Sequence, residues 1–292
     1  MTDRPYALTI SGPSAHIYPL AESLGFSDVM EALSLSVFED DPQNARVEAL
    51  YETQGEAAAA LALLTLPDGV NAAITQTADE DWVSLSQQGL APVEAGRFWL
   101  YGSHDADKTP PEGAHAILVD AGLAFGTGHH GTTKGCLIIF DDLLTAGFTP
   151  KTVLDLGCGA GTLAIAAAMA LPADTDILAT DIDQDAVDVT LDNAGFNKVT
   201  GRITAERADG FDAPIFAGKQ FDLVFANILA GPLMGLADDI TAAMAPGGRV
   251  ILSGIVDEMA ERVTARFTQS GLTVTPQPSL EGWTSLLAVK PA

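Results

Sequence analysis

The stretch DLGCGAG, residues 155–161, decides the fold that the sequence predicts. An apolar segment at 152–156 leads into it and an Ala- and Leu-rich segment at 160–171 follows, so it is predicted to join a strand to a helix. Glycines at such a junction let the backbone approach a ligand closely, and the start of the helix offers free N–H groups. The stretch therefore predicts a ligand-binding loop at the carboxyl end of a buried strand.

The pattern on both sides of this loop predicts an α/β fold with a seven-stranded sheet. Its first strands are continuous apolar runs, which is typical of parallel strands that are buried on both faces. The last two are separated by too little chain for a helical crossover, so they are predicted to pair antiparallel at one edge. Strands are expected at 152–156, 177–181, 202–205, 221–227, 248–253, 272–275 and 286–289, and helices at 134–144, 160–171, 184–194, 231–244 and 257–270.

Two further regions precede this sheet. Residues 1–78 follow the order β-α-β-β-α-β, which predicts a small ferredoxin-like α+β domain. Residues 79–112 are predicted to form a connector with a short helix at 79–88, a strand at 97–101 and a polar loop from 103. The second domain, residues 113–292, is then expected to begin with a strand at 114–119.

The composition limits the classes of function. The chain has 292 residues, with 14 Lys and Arg against 39 Asp and Glu, and a net charge of −25, of which residues 1–70 carry −9. This charge argues against direct binding of DNA or RNA, which needs a basic surface, and favours a basic partner or solubility alone. No apolar run reaches the roughly 20 residues of a membrane helix, and no secretory signal is visible. With only two cysteines a disulfide framework is excluded, so a cytoplasmic protein is expected.

Two details of residues 155–161 distinguish the loop from that of a dehydrogenase. The spacing is Gly-x-Gly-x-Gly rather than Gly-x-Gly-x-x-Gly. An acid lies two residues before the first glycine, where it faces a pyrophosphate poorly and a cationic ligand well. S-adenosyl-L-methionine carries a sulfonium and an amine, so we expect it to bind here. The residues predicted to line its site are Asp155, Gly157, Gly159 and Gly161.

A second acid, Asp181, ends the next predicted strand, 24 residues after Gly157. Acids bind a ribose at a similar spacing, about 20 residues, so Asp181 is predicted to accept hydrogen bonds from both ribose hydroxyls. The alternative for Asp181 is a helix N-cap, but Asp183 suits that role better because Gln184 opens the next predicted helix.

Asn227 ends the predicted strand at 221–227, at the edge where open α/β sheets bind their ligands. A methyl-accepting amine must aim its lone pair at the methyl carbon. The side-chain carbonyl of Asn227 and the backbone carbonyl of Ile228 are predicted to accept the protons of the amine and hold that aim. A free lysine has a pKa of about 10.4, which burial beside a sulfonium would lower, so no strong base is required. The alternative for Asn227 is an ordinary turn residue.

A polar, glycine-rich loop, residues 122–133, is predicted to be a flexible lid over the ligand edge of the sheet. Its end, Thr132–Thr133, opens the next predicted helix and is expected to bind the carboxylate of the cofactor. A zinc ion is not expected, because no cysteine or acid lies at ligand spacing from the paired histidines. The lid residues expected to contact ligand or substrate are Phe125, Thr127, His129 and His130.

Taken together, these motifs resemble those of class I, seven-stranded, Rossmann-like methyltransferases. Residues 126–133, GTGHHGTT, resemble the Gly-Thr-Gly-x-His-x-Thr-Thr signature of the ribosomal protein L-eleven methyltransferases, the PrmA family. Residues 226–233, ANILAGPL, resemble the Asn-Ile-Leu-Ala motif of that family, and 253–255 with 281–283 follow its C-terminal pattern. The resemblance covers 114–292 well, whereas the N-terminal segment is similar only in the order of its elements.

The resemblance implies that Thr133, Gly157, Asp181 and Asn227 bind S-adenosylmethionine, without a metal, and leave S-adenosylhomocysteine as product. It implies methylation of lysine side chains and the N-terminal amine of L-eleven, a basic large-subunit protein at the stalk base of the ribosome. It also implies that the N-terminal domain recognises this substrate and that the connector lets it swing. One departure concerns the connector, where Asp81-Trp82 is present but Leu85-Ser86 stands where a second Trp is expected.

Two other functions stay open at this stage. The chain could methylate another protein or a small molecule, or it could be an acidic binding module without turnover. A membrane partner is not expected, and the protein is expected to be a monomer.

Overall fold

A computed structural model of the chain describes residues 5–25, 32–41, 44–67, 69–76, 92–119 and 131–292. The chain divides into two compact units, Met1–Leu85 and Ser86–Ala292. The predicted helix at 79–88, the Asp81-Trp82 pair and most of the predicted lid lie outside the described residues.

The first unit contains a four-stranded antiparallel sheet with strand order β2-β3-β1-β4. One face of the sheet packs on the two helices, because alternate residues of β1 and β3, such as Leu8 and Val47, point into one buried cluster with Ile17 of α1. The predicted order β-α-β-β-α-β is confirmed. Its elements are β1 (Tyr6–Gly12), α1 (Ser14–Gly25), β2 (Ser34–Asp41), β3 (Asn44–Tyr51), α2 (Gln54–Ala62) and β4 (Asn71–Gln76).

The second unit contains a seven-stranded sheet with strand order β10-β9-β8-β11-β12-β14-β13. Strand β14 runs antiparallel to both β12 and β13, so the predicted antiparallel pairing at one edge is confirmed. The elements are β5 (Val93–Ala95), β6 (Phe98–Tyr101), β7 (His115–Leu118), α3 (Gly131–Thr145), β8 (Thr152–Leu156), α4 (Thr162–Ala170), β9 (Asp176–Asp181), α5 (Gln184–Phe196), β10 (Ile203–Arg207), β11 (Phe221–Asn227), α6 (Ala230–Gly235), α7 (Ala237–Ala243), β12 (Met244–Val256), α8 (Ala260–Gln269), β13 (Thr273–Pro276) and β14 (Trp283–Val289).

Helices cover both faces of this sheet. Along β8, Val153 belongs to the buried cluster that contains α3 and α4, whereas its neighbour Leu154 belongs to the cluster that contains α6, α7 and α8. Strand β11 divides in the same way, with Phe225 on the first face and Val224 on the second. Burial on both faces explains why these strands read as continuous apolar runs. Among the described helices, none is long and apolar enough to cross a membrane.

Residues 92–112, part of the predicted connector, contain the strand expected at 97–101, which is observed as β6. Strands β5 and β6 pair antiparallel, and β6 pairs parallel with β7, which gives a separate three-stranded sheet. Phe98 and Leu100 are buried in the same cluster as α3, and Arg97 donates a hydrogen bond to Asp141 of α3. The structure therefore assigns these residues to the second unit, because their apolar side chains complete its core.

The predicted helix at 231–244 is also different, since the chain forms two shorter helices there. It leaves helical geometry at Leu236, with φ −86° and ψ 4°, directly after Gly235. Glycine stabilises a helix poorly, which favours a break at this point. Strand β12 then begins at Met244, four residues earlier than predicted.

Candidate functional site

The order of the seven strands reverses between β8 and β11. From β8 the chain winds through β9 to β10 on one side, and the later strands β11 to β14 lie on the other side. The carboxyl ends of β8 and β11 are adjacent, with Leu156 beside Ala226. Open α/β sheets bind their ligands in the crevice at such a reversal. The predicted site residues that the structure describes lie at this edge.

The glycine loop after β8 has a backbone that requires glycine. Gly157, Gly159 and Gly161 have φ values of 71°, 53° and 76°, in the left-handed region that disfavours side chains. A Cβ on Gly157 would lie 2.3 Å from Cγ2 of Ile228, so there is no space for a side chain either. The N–H groups of Gly157 and Cys158 donate to the carbonyl of Thr180, at 2.8 and 3.0 Å, and hold the loop against β9.

Asp155 lies beneath this loop rather than on its surface. Its side chain is 1 % exposed, and Oδ2 accepts a hydrogen bond of 2.9 Å from the backbone N–H of Ala164, in the first turn of α4. Burial raises the pKa of Asp155 to about 7, although the hydrogen bond from Ala164 opposes that shift. The sequence predicts direct contact with a cationic ligand, whereas the structure encloses this carboxyl group as a support for α4 and the loop.

Asp181 connects the end of β9 to the glycine loop. Its Oδ2 accepts a hydrogen bond from the N–H of Gly159 at 3.0 Å, and its Oδ1 accepts one from the N–H of Asp183 at 3.1 Å. Each carboxylate oxygen has a second lone pair that can accept another hydrogen bond. Asp183 is the N-cap of α5 and accepts from the N–H of Asp185, so the helix-capping role falls to Asp183, as predicted.

Asn227 and Thr133 come together although they are far apart in sequence. Nδ2 of Asn227, at the end of β11, donates a 3.3 Å hydrogen bond to Oγ1 of Thr133, in the first turn of α3. Thr133 is 1 % exposed and Asn227 is half-buried. Because the amide nitrogen faces Thr133, the carbonyl oxygen of Asn227 points in another direction and can accept a hydrogen bond.

Ile228 joins the glycine loop to strand β12. Its side chain lies against Gly157, as described above. Its backbone lies against Gly254, where a Cβ would be 2.2 Å from the carbonyl oxygen of Ile228. The structure therefore brings the predicted residues Thr133, Asn227 and Ile228 to the same edge as the glycine loop.

Ser253, Gly254 and Ser285 support this edge and were not predicted as site residues. Oγ of Ser253 donates to the carbonyl of Thr132 at 3.1 Å and lies 2.9 Å from Oγ of Ser285. Both serines are buried, at 0 % and 4 % exposure. The sequence holds one local signal, since Gly254 directly follows the strand predicted at 248–253 and a glycine on a strand often marks an irregular pairing. It gives no signal for the partners, because Ser253 and Thr132 are 121 residues apart.

The remaining candidates lie outside the described residues or in the core. The predicted lid residues Phe125, Thr127, His129 and His130 are all outside the described residues. In the part of the chain that the structure describes, no group of three or more His, Cys, Asp or Glu side chains is arranged to hold a metal ion. Cys136 is fully buried, and burial raises its pKa to about 12, so it is a core residue rather than a candidate nucleophile.

Comparison with known proteins adds a family to this geometry. Residues 21–291 match the family model described as Ribosomal protein L11 methyltransferase (PrmA). The chain is 42 % identical over 286 residues to the Ribosomal protein L11 methyltransferase of Rhodopseudomonas palustris (strain BisB5), covering 96 % of each chain. It is 43 % identical over 262 residues to the protein of the same name from Brucella suis (strain ATCC 23445 / NCTC 10510), covering 89 % of this chain and 90 % of the relative.

A solved structure agrees with the fold. The crystal structure of ribosomal protein L11 methylase from Lactobacillus delbrueckii subsp. bulgaricus superposes with a TM-score of 0.59 and 24 % identity. The superposition covers 69 % of this chain and 99 % of that chain, so the two proteins have a similar fold. With the family model matching most of the sequence and relatives above 40 % identity, this chain belongs to the ribosomal protein L11 methyltransferase (PrmA) family.

Proposed function

We propose that this protein transfers methyl groups from S-adenosyl-L-methionine to ribosomal protein L11, on lysine side chains and on the N-terminal amine. The observation that carries the proposal is the hydrogen bond from Asn227 to Thr133 beside the glycine loop, at the reversal of strand order. Because this bond uses the amide nitrogen of Asn227, its carbonyl oxygen remains able to accept a hydrogen bond at the edge where open α/β sheets bind their ligands. Membership of the family, whose relatives carry the name of this activity, supports the substrate.

The residues at the edge fit S-adenosylmethionine. Gly157, Gly159 and Gly161 present a backbone without side chains, against which a ligand can lie closely. Asp181 keeps free lone pairs for the two hydroxyls of a ribose. Asp155 adds a buried acidic group beneath the loop. Thr133 stands in the first turn of α3, where helix N–H groups favour a carboxylate.

The chain's own residues would position the reacting amine. When bound, the cofactor supplies a methyl carbon made electrophilic by the neighbouring sulfonium. The Asn227 carbonyl oxygen and the Ile228 backbone carbonyl accept hydrogen bonds from the amine and point its lone pair along the line of displacement. Burial lowers the pKa of a lysine ammonium, so the amine reacts in its neutral form without a strong base. Positioning of this kind accounts for a large part of the rate in many enzymes.

The same proposal assigns roles to the regions beyond this edge. The first unit recognises the substrate, a basic protein at the stalk base of the large ribosomal subunit, and Phe125, Thr127, His129 and His130 contact that substrate. The net charge of −25 supports attraction of a basic protein and repulsion of ribosomal RNA. The enzyme acts as a monomer in the cytoplasm, without a metal ion and without direct contact with nucleic acid or membrane.

One labelling experiment tests the proposal. Undermethylated ribosomes and free ribosomal proteins are incubated with labelled S-adenosylmethionine and the protein, and labelled products are identified by mass spectrometry. We expect label on amines of ribosomal protein L11. Label on another acceptor would assign a different methyltransferase, and binding of cofactor with no labelled product would indicate a module without turnover.

A second measurement tests the role of the charge. The association rate of substrate should fall steeply between low and physiological ionic strength, because salt screens attraction between exposed charges. A flat profile would assign the negative charge to solubility alone.

A further inference from the structure

Strand β12 contains a bulge where it reaches the ligand edge. In its pairing with β14, Leu252 lies opposite Leu286 and Ile255 lies opposite Thr284, so Ser253–Gly254 faces the single residue Ser285. Gly254 has a φ of 78°, in the left-handed region. Bulges of this kind bend a strand and redirect its side chains, and they are frequent beside active sites. On its other side the bulge is next to the end of β11, with Ser253 paired to Asn227.

Gly254 fixes the backbone of Ile228. A Cβ at this position would lie 2.2, 2.7 and 3.2 Å from the carbonyl oxygen, carbonyl carbon and nitrogen of Ile228. All three are backbone atoms, so no flexible side chain can move away to make room. Ile228 therefore lies between two glycines, with its backbone against Gly254 and its side chain against Gly157. This contact limits where the Ile228 carbonyl oxygen can be.

Ser253 fixes the start of α3. Its hydroxyl has one proton, and because that proton goes to the carbonyl of Thr132, Ser285 is the donor in the hydrogen bond between the two serines. The next residue, Thr133, accepts the hydrogen bond from Asn227. Tight packing reinforces the connection, since a Cβ on Gly135 of α3 would lie 2.4 Å from Oγ of Ser285.

We propose that the Ser253–Gly254 bulge is the positioning element for the acceptor amine. Gly254 sets the Ile228 carbonyl directly, and Ser253 sets the Asn227 carbonyl through Thr132 and Thr133. The inference rests on the proposed function, because it takes these two carbonyl groups to be the ones that face the amine. The bulge residues act through others, so they are positioning residues and are not expected to contact the cofactor.

The main test is Gly254→Ala, with Gly247→Ala as the matched control. Gly247 lies on the same strand with a φ of 73°, but no heavy atom is within 4 Å of its Cβ, so it reports the cost of the left-handed backbone alone. Single-turnover methyl transfer to ribosomal protein L11 is measured at saturating cofactor, and cofactor affinity by calorimetry. We expect Gly254→Ala to lose about 100-fold in rate, as misplacement by an ångström does elsewhere. Its cofactor affinity should stay within about threefold, and Gly247→Ala should change neither quantity.

A second pair of variants, Ser253→Ala and Ser285→Ala, tests the inference if Gly254→Ala does not fold. Ser253→Ala removes the hydrogen bond to Thr132, whereas Ser285→Ala leaves that bond in place. We expect a loss of about tenfold in the single-turnover rate for Ser253→Ala and a smaller loss for Ser285→Ala, as each hydrogen bond contributes on the order of a factor of ten. Cofactor affinity should fall by less than the rate in both variants, because Ser253 reaches the helix start at Thr132–Thr133, where the cofactor carboxylate is expected, only through the Thr132 carbonyl.

The outcomes distinguish this inference from the function on which it rests. If Gly254→Ala and Ser253→Ala transfer methyl groups as fast as Gly247→Ala, the positioning role is wrong although the proposed function stands. If rate and cofactor affinity fall by the same factor, the bulge supports the fold in general and the inference is likewise wrong. If the unaltered protein and Gly247→Ala leave ribosomal protein L11 unlabelled, the proposed function fails and the inference falls with it.

Discussion

The two sides of the candidate site are built in different ways. The glycine-loop side comprises residues 155–164 and Asp181, and its contacts join residues close in sequence, such as Asp155 with Ala164 and Gly159 with Asp181. The bulge side comprises Asn227, Ile228, the Ser253–Gly254 bulge, Ser285 and the start of α3. Its contacts join residues far apart, 94 positions for Asn227 with Thr133 and 121 for Ser253 with Thr132.

The difference teaches how the two sides depend on the rest of the chain. The glycine-loop side is built from β8, α4, the end of β9 and α5, whose Thr190 and Asn193 donate hydrogen bonds to the carbonyls of Gly159 and Ala160. All of these lie within residues 152–196, so it is a local motif that can be recognised in a short segment. The bulge side needs β11, β12, β14 and α3 to be assembled first. In the proposed function the glycine loop and Asp181 hold the cofactor, the start of α3 adds a contact to its carboxylate, and the carbonyl groups of Asn227 and Ile228 hold the amine. Variants of the two sides should therefore affect different steps.

The largest effect is expected from Asn227→Ala, which removes one carbonyl of the bulge side. The single-turnover rate should fall by about 100-fold, because the amine loses part of its alignment. Cofactor affinity, measured by calorimetry, should change much less. Thr133→Val serves as a companion, since it removes the acceptor for the Asn227 amide and should reproduce part of the loss, while Thr133→Ser retains it. An unaffected single-turnover rate in Asn227→Ala would contradict the amine-aligning role.

Asp181→Ala should affect the other side. We expect cofactor affinity to weaken by about one to two orders of magnitude, because hydrogen bonds to a charged group contribute about 1.5–3 kcal/mol. Asp183→Ala is the matched control, as it removes the N-cap of α5 in the same turn and should cost about 1 kcal/mol of stability without a change in affinity. Equal calorimetric affinity for Asp181→Ala and the unaltered protein would remove Asp181 from the cofactor site.

The two sides touch at Gly157 and Ile228, and a double variant can examine this contact. Gly157→Ala would place a Cβ 2.3 Å from Cγ2 of Ile228, and we expect about a tenfold loss of cofactor affinity from the displaced loop. Adding Ile228→Ala removes that methyl group and should restore part of the affinity. Gly218→Ala is the control, because Gly218 has the same φ of 71° and no heavy atom near its Cβ. Without recovery in the double variant, contact with Ile228 is not the reason for glycine at 157.

The same difference explains what the sequence could predict. The seven strands, the antiparallel edge and the capping role of Asp183 follow from patterns within short segments, namely apolar runs, chain length between strands and the residue before a helix. Residues 92–112 were predicted as part of a connector because β5 and β6 are short and their burial depends on α3. The bulge was missed because its partners lie on other strands, and a serine and a glycine carry no signal of which distant backbone they will meet.

For Asp155, the sequence predicted the position in the fold but not the burial of its carboxyl group. The motif places it at the end of β8, yet only the packing of α4 above it shows that its carboxyl group is enclosed. Burial is a property of the assembled fold. For this reason the raised pKa of Asp155 could not be inferred from the spacing of the glycines.

The smallest expected effect is a dependence of stability on pH, which the raised pKa of Asp155 should give to the glycine-loop side and not to the bulge side. The pKa of Asp155 rises from 3.8 to about 7 because burial disfavours the charged form. Between these values the folded protein keeps a proton that the unfolded chain has released. The stabilising contribution of the protonated group is therefore complete below about pH 4 and is lost as the pH rises through 7, with a slope of at most ~1.4 kcal/mol per pH unit.

Asp155→Asn should remove this slope. The asparagine carbonyl can still accept the hydrogen bond from Ala164, but the side chain does not titrate. Urea unfolding at pH 5, 6, 7 and 8 gives the free energy of unfolding of both proteins. The value for the variant should rise relative to that for the unaltered protein up to about pH 7, and the difference should stay constant above that pH. Asp257→Asn is a control that should leave the slope unchanged, since hydrogen bonds from Thr284 and Ser279 hold the pKa of Asp257 below its usual range, and this group is therefore ionised in both the folded and the unfolded chain from pH 5 to pH 8. Parallel pH profiles for Asp155→Asn and the unaltered protein would show that the acid does not titrate with folding. On the bulge side the polar side chains described above belong to Asn, Thr and Ser residues, which do not titrate in this range. Ser253→Ala should therefore lower the free energy of unfolding by the same amount at every pH.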